Sequence, residues 1–280
     1  MTRNNFLTSL SALLAYCACT FGQSASAQEL AITPEQTEEF GDDLFAEEEE
    51  LESDRDSFTR SPRLMPTGGV MVEASYTFLD QDAVAEGHLY PDLLVRFGVC
   101  EWVEARIGWT YEVAKFHHLA PPLAEPAEEG IINYSAKFRV TPACGVIPDS
   151  ALVVTGYTPT SGESSDTDFS LEYIYGWKRC DWELDGMIRW FSLAEEDDQF
   201  TEWAPSVVLK RSILCERANV HVEYFSLHSQ NRDEEYDQYY FGPGAHYLLT
   251  PNFEIGARVF WGVGEDSAEF ISNVGFAARR

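Results

Sequence analysis

From Val70 onward, apolar and polar residues alternate with a period of two along most of the chain. The clearest stretch is Pro91–Glu112, PDLLVRFGVCEWVEARIGWTYE. One set of alternate positions is Leu93, Val95, Phe97 and Val99, resuming after a turn at Cys100-Glu101 as Val103, Ala105, Ile107, Trp109 and Tyr111. The other set carries Asp92, Arg96, Glu104, Arg106 and Glu112. Period two places successive side chains on opposite faces of a strand, so this stretch predicts a hairpin with one apolar and one charged face. A lipid exterior around a wet or salt-bridged lumen suits both faces.

The same pattern recurs. Val70, Val72, Ala74, Tyr76 and Phe78 alternate with Met71, Glu73, Ser75 and Thr77, and Ile132–Val140 alternates with Asn133, Ser135, Lys137 and Arg139. Ala151–Tyr157 reads as a more uniformly apolar strand, followed by a polar loop from Pro159 to Asp166. Phe169–Trp177 and Trp182–Trp190 flank a turn at Arg179-Cys180-Asp181, and an acidic loop, Glu195–Asp198, precedes Thr201–Leu214. Cys215-Glu216-Arg217 turns into Ala218–Phe225, Thr250-Pro251-Asn252 joins Tyr239–Leu249 to Phe253–Trp261, and Ser267–Ala278 is the last strand. Short turns alternate with longer polar loops. The expectation is an all-β, antiparallel, up-and-down transmembrane β-barrel of about 12 strands, with the short turns at the periplasmic rim.

Ahead of the barrel the composition changes twice. Arg3, an apolar run from Phe6 to Cys19 and the small residues Ala25-Ser26-Ala27 read as a secretory signal peptide over residues 1–27, cleaved near Ala27. Residues 28–62 read as an acidic, disordered periplasmic arm, because Glu35, Glu38, Glu39, Asp42, Asp43 and Glu47–Glu50 crowd like charge into a segment poor in apolar residues. Residues 63–280 are then the barrel. Pro62 and Pro66 keep the transition from being strand interior. The expected location is the outer membrane of a double-membraned bacterium, with outer-membrane lipid, the barrel assembly machinery and a small-molecule solute as partners. A soluble periplasmic barrel, with the apolar face turned inward, is the competing reading.

Charge and chemistry narrow the function classes. The net charge of −28 disfavours nucleic acid as a partner. No phosphate-binding or dinucleotide loop, Cys-x-x-Cys or nucleophile elbow occurs, so neither a cofactor nor an enzyme is expected. His117-His118 reads as part of a polar loop, with no third metal ligand at recognisable spacing. Cys17 and Cys19 fall in the signal segment, while Cys100, Cys144, Cys180 and Cys215 all fall at predicted short turns on one rim. In an oxidising compartment these four allow three pairings, of which neighbouring turns favour Cys100–Cys144 with Cys180–Cys215; four free thiols at strand ends are the alternative. Trp102, Trp109, Tyr111, Tyr175, Trp177, Trp182, Trp190 and Trp261 lie near predicted strand ends, as interfacial girdles do.

The candidate site is the lumen lining: Arg96, Glu104, Arg106, Lys137, Arg139, Glu172, Glu183, Asp185, Arg189, Glu223, Glu254 and Arg258. Both signs are present. Mutually paired, these residues fill a closed barrel that serves as a structural or adhesive element. Unpaired, they line a path for passive passage of small solutes. A third reading, a barrel-embedded hydrolase, would use His221, which falls on the predicted lumen face.

Several segments resemble the outer-membrane transporter family named for the meta pathway of phenol degradation. They are Ser53-Asp54-Arg55-Asp56-Ser57-Phe58-Thr59, Pro66-Thr67-Gly68-Gly69 leading into Val70–Phe78, Pro91–Gly98 with Val103–Trp109, and Leu249–Gly256. The resemblance implies a barrel of about 12 strands that passes small hydrophobic or aromatic compounds, with no catalytic residues. The chain departs from that pattern at Cys100 and Cys215, in its long acidic arm, and in ending Phe276-Ala277-Ala278-Arg279-Arg280 rather than on a terminal aromatic.

Overall fold

The computed structural model describes residues 51–280 except Asp56 and residues 82–84, 117–126, 163–165, 196–197, 215–216 and 232–234. The signal segment, the arm through residue 50, His117-His118 and Cys215 lie outside the described residues.

Twelve strands follow one another: β1 (Val70–Asp80), β2 (Ala85–Cys100), β3 (Val103–Phe116), β4 (Ala127–Thr141), β5 (Asp149–Ser161), β6 (Asp168–Arg179), β7 (Trp182–Glu195), β8 (Asp198–Ile213), β9 (Ala218–Gln230), β10 (Asp237–Thr250), β11 (Phe253–Gly262) and β12 (Phe270–Arg279). Each pairs antiparallel with its neighbours in sequence, and β1 pairs with β12 to close the barrel. Closure leaves no sheet edge, which is what a strand-built membrane protein requires.

The alternation settles which face is which. Across the β2–β3 ladder Val95 stands opposite Ile107 and Arg96 opposite Arg106. Ile107 is 52% exposed and Phe97 44%, whereas Arg96 is 2% exposed and Glu104 fully buried. The rule holds around the barrel: Val72, Tyr134, Val154, Ile188, Val207, Val222, Ile255 and Val274 face outward, while Glu73, Lys137, Glu172, Asp185, Lys210, Glu223 and Glu254 face inward. The apolar face is therefore outside, the reverse of a soluble barrel. Trp102, Trp177 and Trp182 are exposed near the short-turn rim, and Trp261 is exposed toward the other rim.

Strand limits differ from expectation in places. β2 and β3 extend beyond Pro91–Glu112 to Ala85 and Phe116. β5 runs to Ser161 through Pro159, and β8 begins at Asp198. β12 starts only at Phe270 because Ala268 turns inward, donating its N–H to the Tyr240 hydroxyl at 3.0 Å.

The cysteine pairing needs correction. Cys100, Cys144 and Cys180 are free thiols, so Cys100–Cys144 is not formed, and Cys215 lies outside the described residues. Successive short turns are two strands apart, about 10 Å at the usual strand spacing. A disulfide needs Cα atoms within roughly 7 Å.

Candidate functional site

Residues 51–65 do not belong to a tail. They rise into the barrel and return, forming a loop whose two limbs lie side by side in the lumen. Leu51 and Met65, at its two ends, share an apolar cluster with Met71 of β1 and Ala277 of β12. Glu52 of one limb contacts Ser61 and Arg63 of the other. The apex is Ser57-Phe58-Thr59, where the Ser57 hydroxyl donates to the Thr59 carbonyl. The expected arm ran through residue 62, so its last twelve residues are misplaced by that reading. Like charge ends near Glu50, and from Leu51 the acids and bases mix, which suits a buried polar environment with counter-charges.

At the rim the chain passes from the loop into β1 through Pro66-Thr67-Gly68-Gly69. Gly68 has φ +81°, a left-handed conformation. It donates its N–H to the Gly98 carbonyl at 2.7 Å, and Gly98 donates to the Gly69 carbonyl at 3.0 Å. A Cβ at Gly98 would stand 1.9 Å from the Pro66 carbonyl oxygen, so only glycine in β2 lets the two backbones approach this closely.

Inside, the lining charges are paired, many with the loop. Arg96 donates two hydrogen bonds to Glu104, at 2.9 and 3.0 Å, and others to Glu73 at 3.2 Å and the Glu52 carbonyl at 2.8 Å. Arg106 pairs with Asp54 and lies 3.4 Å from Glu104. Glu73 accepts from the Asp54 N–H and the Ser53 hydroxyl, and Glu104 from the Met65 N–H at 2.7 Å. Lys137 donates to the carbonyls of Ser61 and Arg63, both at 2.6 Å. Burial alone would raise the Asp54 carboxyl pKa, but the cations around it, Arg106 first and then Arg96, outweigh that and hold it well below the usual carboxylate range.

A second group lies across the lumen. Glu172 accepts from Arg60 of the loop and pairs with Arg189 of β7 at 3.1 Å. Arg63 pairs with Glu183 at 2.6 Å, while Lys210 of β8 reaches Glu183 at 3.1 Å and Asp185 at 3.0 Å. Glu223 of β9 accepts the N–H groups of Phe58 and Thr59, at 2.9 and 2.5 Å. Of the remaining expected lining residues, Glu254 is 3.8 Å from His246, Arg258 lies over the Phe260 ring, and Arg139 approaches Asp149 at 4.0 Å near the short-turn rim. His221 is buried on the inner face of β9 beside Gly244, where a Cβ would be 2.2 Å from its Nε2. Among the described residues, no group of three His, Cys, Asp or Glu side chains is placed to hold a metal ion.

The sequence reading missed Asp54, Phe58, Arg60 and Arg63 of the loop, and Glu73 and Lys210 of the wall. The last two were legible, because each falls on the charged alternation of its strand. The loop residues have no period, and the mixed charge of SDRDSFTR and its resemblance to the family pattern were their signals. Apolar side chains share the lumen with these charges. Phe225, Tyr240, Phe260 and Ala268 form one cluster, and Val153, Ile174 and Met187 another, with Phe58 packed against both.

Residues 53–279 match the protein family described as "Putative MetA-pathway of phenol degradation". The chain belongs to this family. The match begins inside the luminal loop, so the loop is part of the family pattern and not an appendage to it. Among solved structures the fold is similar to an outer membrane channel from Pseudomonas putida F1, at 11% identity and TM-score 0.62, covering 79% of this chain and 98% of that one. The translocator domain of the autotransporter NalP from Neisseria meningitidis has 12% identity and TM-score 0.51, with 77% and 90% covered. The NanC porin has 10% identity and TM-score 0.51, with 75% and 98% covered. Comparison with curated proteins finds no match.

Proposed function

We propose that this family member is an outer-membrane barrel for passive passage of small solutes, aromatic or otherwise hydrophobic, whose lumen is occupied at rest by its own residues 51–65. The observation that carries this reading is the occupancy itself. Eight strands make a barrel that side chains just fill, and the interior widens with strand number. Here the wall side chains leave room for two limbs of polypeptide. The loop is held by hydrogen bonds and ion pairs, contacts that water and counter-ions can replace, and by the packing of Leu51, Phe58 and Met65. The outward apolar face supports insertion in a membrane, and channels and porins stand among proteins of similar fold. The dense pairing of wall and loop favours the second reading, a closed structural barrel.

Planar-bilayer conductance of the intact chain and of a chain lacking residues 51–65 separates the two. Passive transport expects small or no conductance from the intact barrel and porin-like conductance from the deletion. An ion-tight deletion variant that still shows heat-modifiable gel migration defeats the channel and leaves the closed barrel.

A further inference from the structure

The apex of the loop places one aromatic ring where the lumen wall offers a slot for it. The Phe58 ring stacks on Phe225 with centroids 4.1 Å apart and planes 11° from parallel. Phe225 is itself held in place by stacking on Tyr240 at 4.7 Å and by the edge-on ring of Phe260 at 5.0 Å. Ile174 and Met187, which stand in the same row of the β6–β9 wall with only Ser206 between Met187 and Phe225, pack on the other side of Phe58, so the ring fills a gap in that wall. The Arg189 guanidinium carbon lies 5.0 Å from the ring centroid, within cation–π range. Beside the ring, both carboxylate oxygens of Glu223 accept N–H groups of the loop backbone.

Each wall element is supplied by the barrel, and only the ring and the two N–H donors come from the loop. We infer that this slot is a binding site for a monocyclic, electron-rich aromatic solute carrying a hydrogen-bond donor, and that Phe58 with its adjoining N–H groups is the resident occupant such a solute replaces. A stacked partner and a cation near the ring favour π electrons over a saturated ring of equal size. A buried carboxylate whose partners leave needs a donor in their place, which selects a hydroxyl- or amino-bearing ring over a bare hydrocarbon. The site deepens the passive-transport reading by naming a solute class and rests on it for its biological use, but the binding chemistry does not.

The test is calorimetric titration of the purified barrel in detergent micelles with phenol and with cyclohexanol. Phe58→Ala vacates the slot and is expected to bind phenol about tenfold more tightly than cyclohexanol, the ratio that aromatic contacts of this kind supply. The intact chain is expected to bind phenol at least about tenfold more weakly than the variant, because its own ring must leave first. Adding Phe225→Leu to the variant is expected to abolish the preference. Equal binding of phenol and cyclohexanol by a heat-modifiable Phe58→Ala barrel, or equal binding of phenol by the intact chain and the variant, overturns the site. Should Phe58→Ala fail to assemble, the chain lacking residues 51–65 also vacates the slot and carries the same comparison. No flux enters this readout. A conducting deletion variant without a phenol preference therefore defeats the slot alone, and a phenol preference in an ion-tight barrel defeats the channel alone.

Discussion

Arg96 shows how much a single luminal side chain holds. It is buried, bidentate to Glu104, bonded to Glu73 and the Glu52 carbonyl, and 3.8 Å from Asp54. Its opposite number across the ladder, Arg106, would repel it without the acids between them. Asp54 is the loop's contribution to that neutralisation, and its depressed carboxyl pKa sets the sign of a pH effect. A group whose folded pKa lies below its unfolded value stabilises the fold above the unfolded pKa, about 3.9 for Asp, and loses that contribution as pH falls through the folded value. Thermal unfolding followed between pH 6 and pH 2 should therefore show a steeper acid loss in the intact protein than in Asp54→Asn. Parallel pH profiles would remove Asp54 from that account.

The luminal loop is the element that gives the strands their partners. It contributes Asp54 to the Arg96–Arg106 side, Arg60 and Arg63 to the Glu172–Glu183 side, and Phe58 to the apolar clusters of the wall. Its exit past β2 depends on Gly98, where any side chain meets the Pro66 carbonyl. Gly98→Ala should displace the exit and loosen the loop while leaving the ladders that close the barrel. Arg60 and Arg63 are trypsin sites shielded by the wall in the native protein, so limited trypsin digestion should cut the variant there several-fold faster. Equal digestion rates in barrels of equal heat-modifiability would show that the exit tolerates a methyl group.

At the scale of the whole molecule, the decisive property is an inverted soluble barrel, with apolar residues outside and charge within. Ile107 is exposed midway along β3. Placing a charge there tests the environment directly. Ile107→Arg should cost about 2–4 kcal/mol on folding into lipid vesicles if that position faces the bilayer interior. In water the same change would be nearly neutral. A neutral result in vesicles would put Ile107 outside the hydrocarbon region.

The sequence by itself determined the class of fold, the number of strands and the face of nearly every strand residue, because period two is a local property that needs no knowledge of partners. That is why Arg96, Glu104, Arg106, Lys137, Glu172 and Asp185 could be placed in the lumen from alternation alone. Only the tertiary structure decided what they face there. Residues 51–65 carry no period, and many of their partners lie on strands distant in sequence, as Arg106 does from Asp54. Cys100 and Cys144 share a rim in sequence order, but strand spacing across the sheet separates their turns. Pairing and occupancy are three-dimensional quantities, so the opening hairpin could show a charged face without showing that a loop of the same chain already covers it.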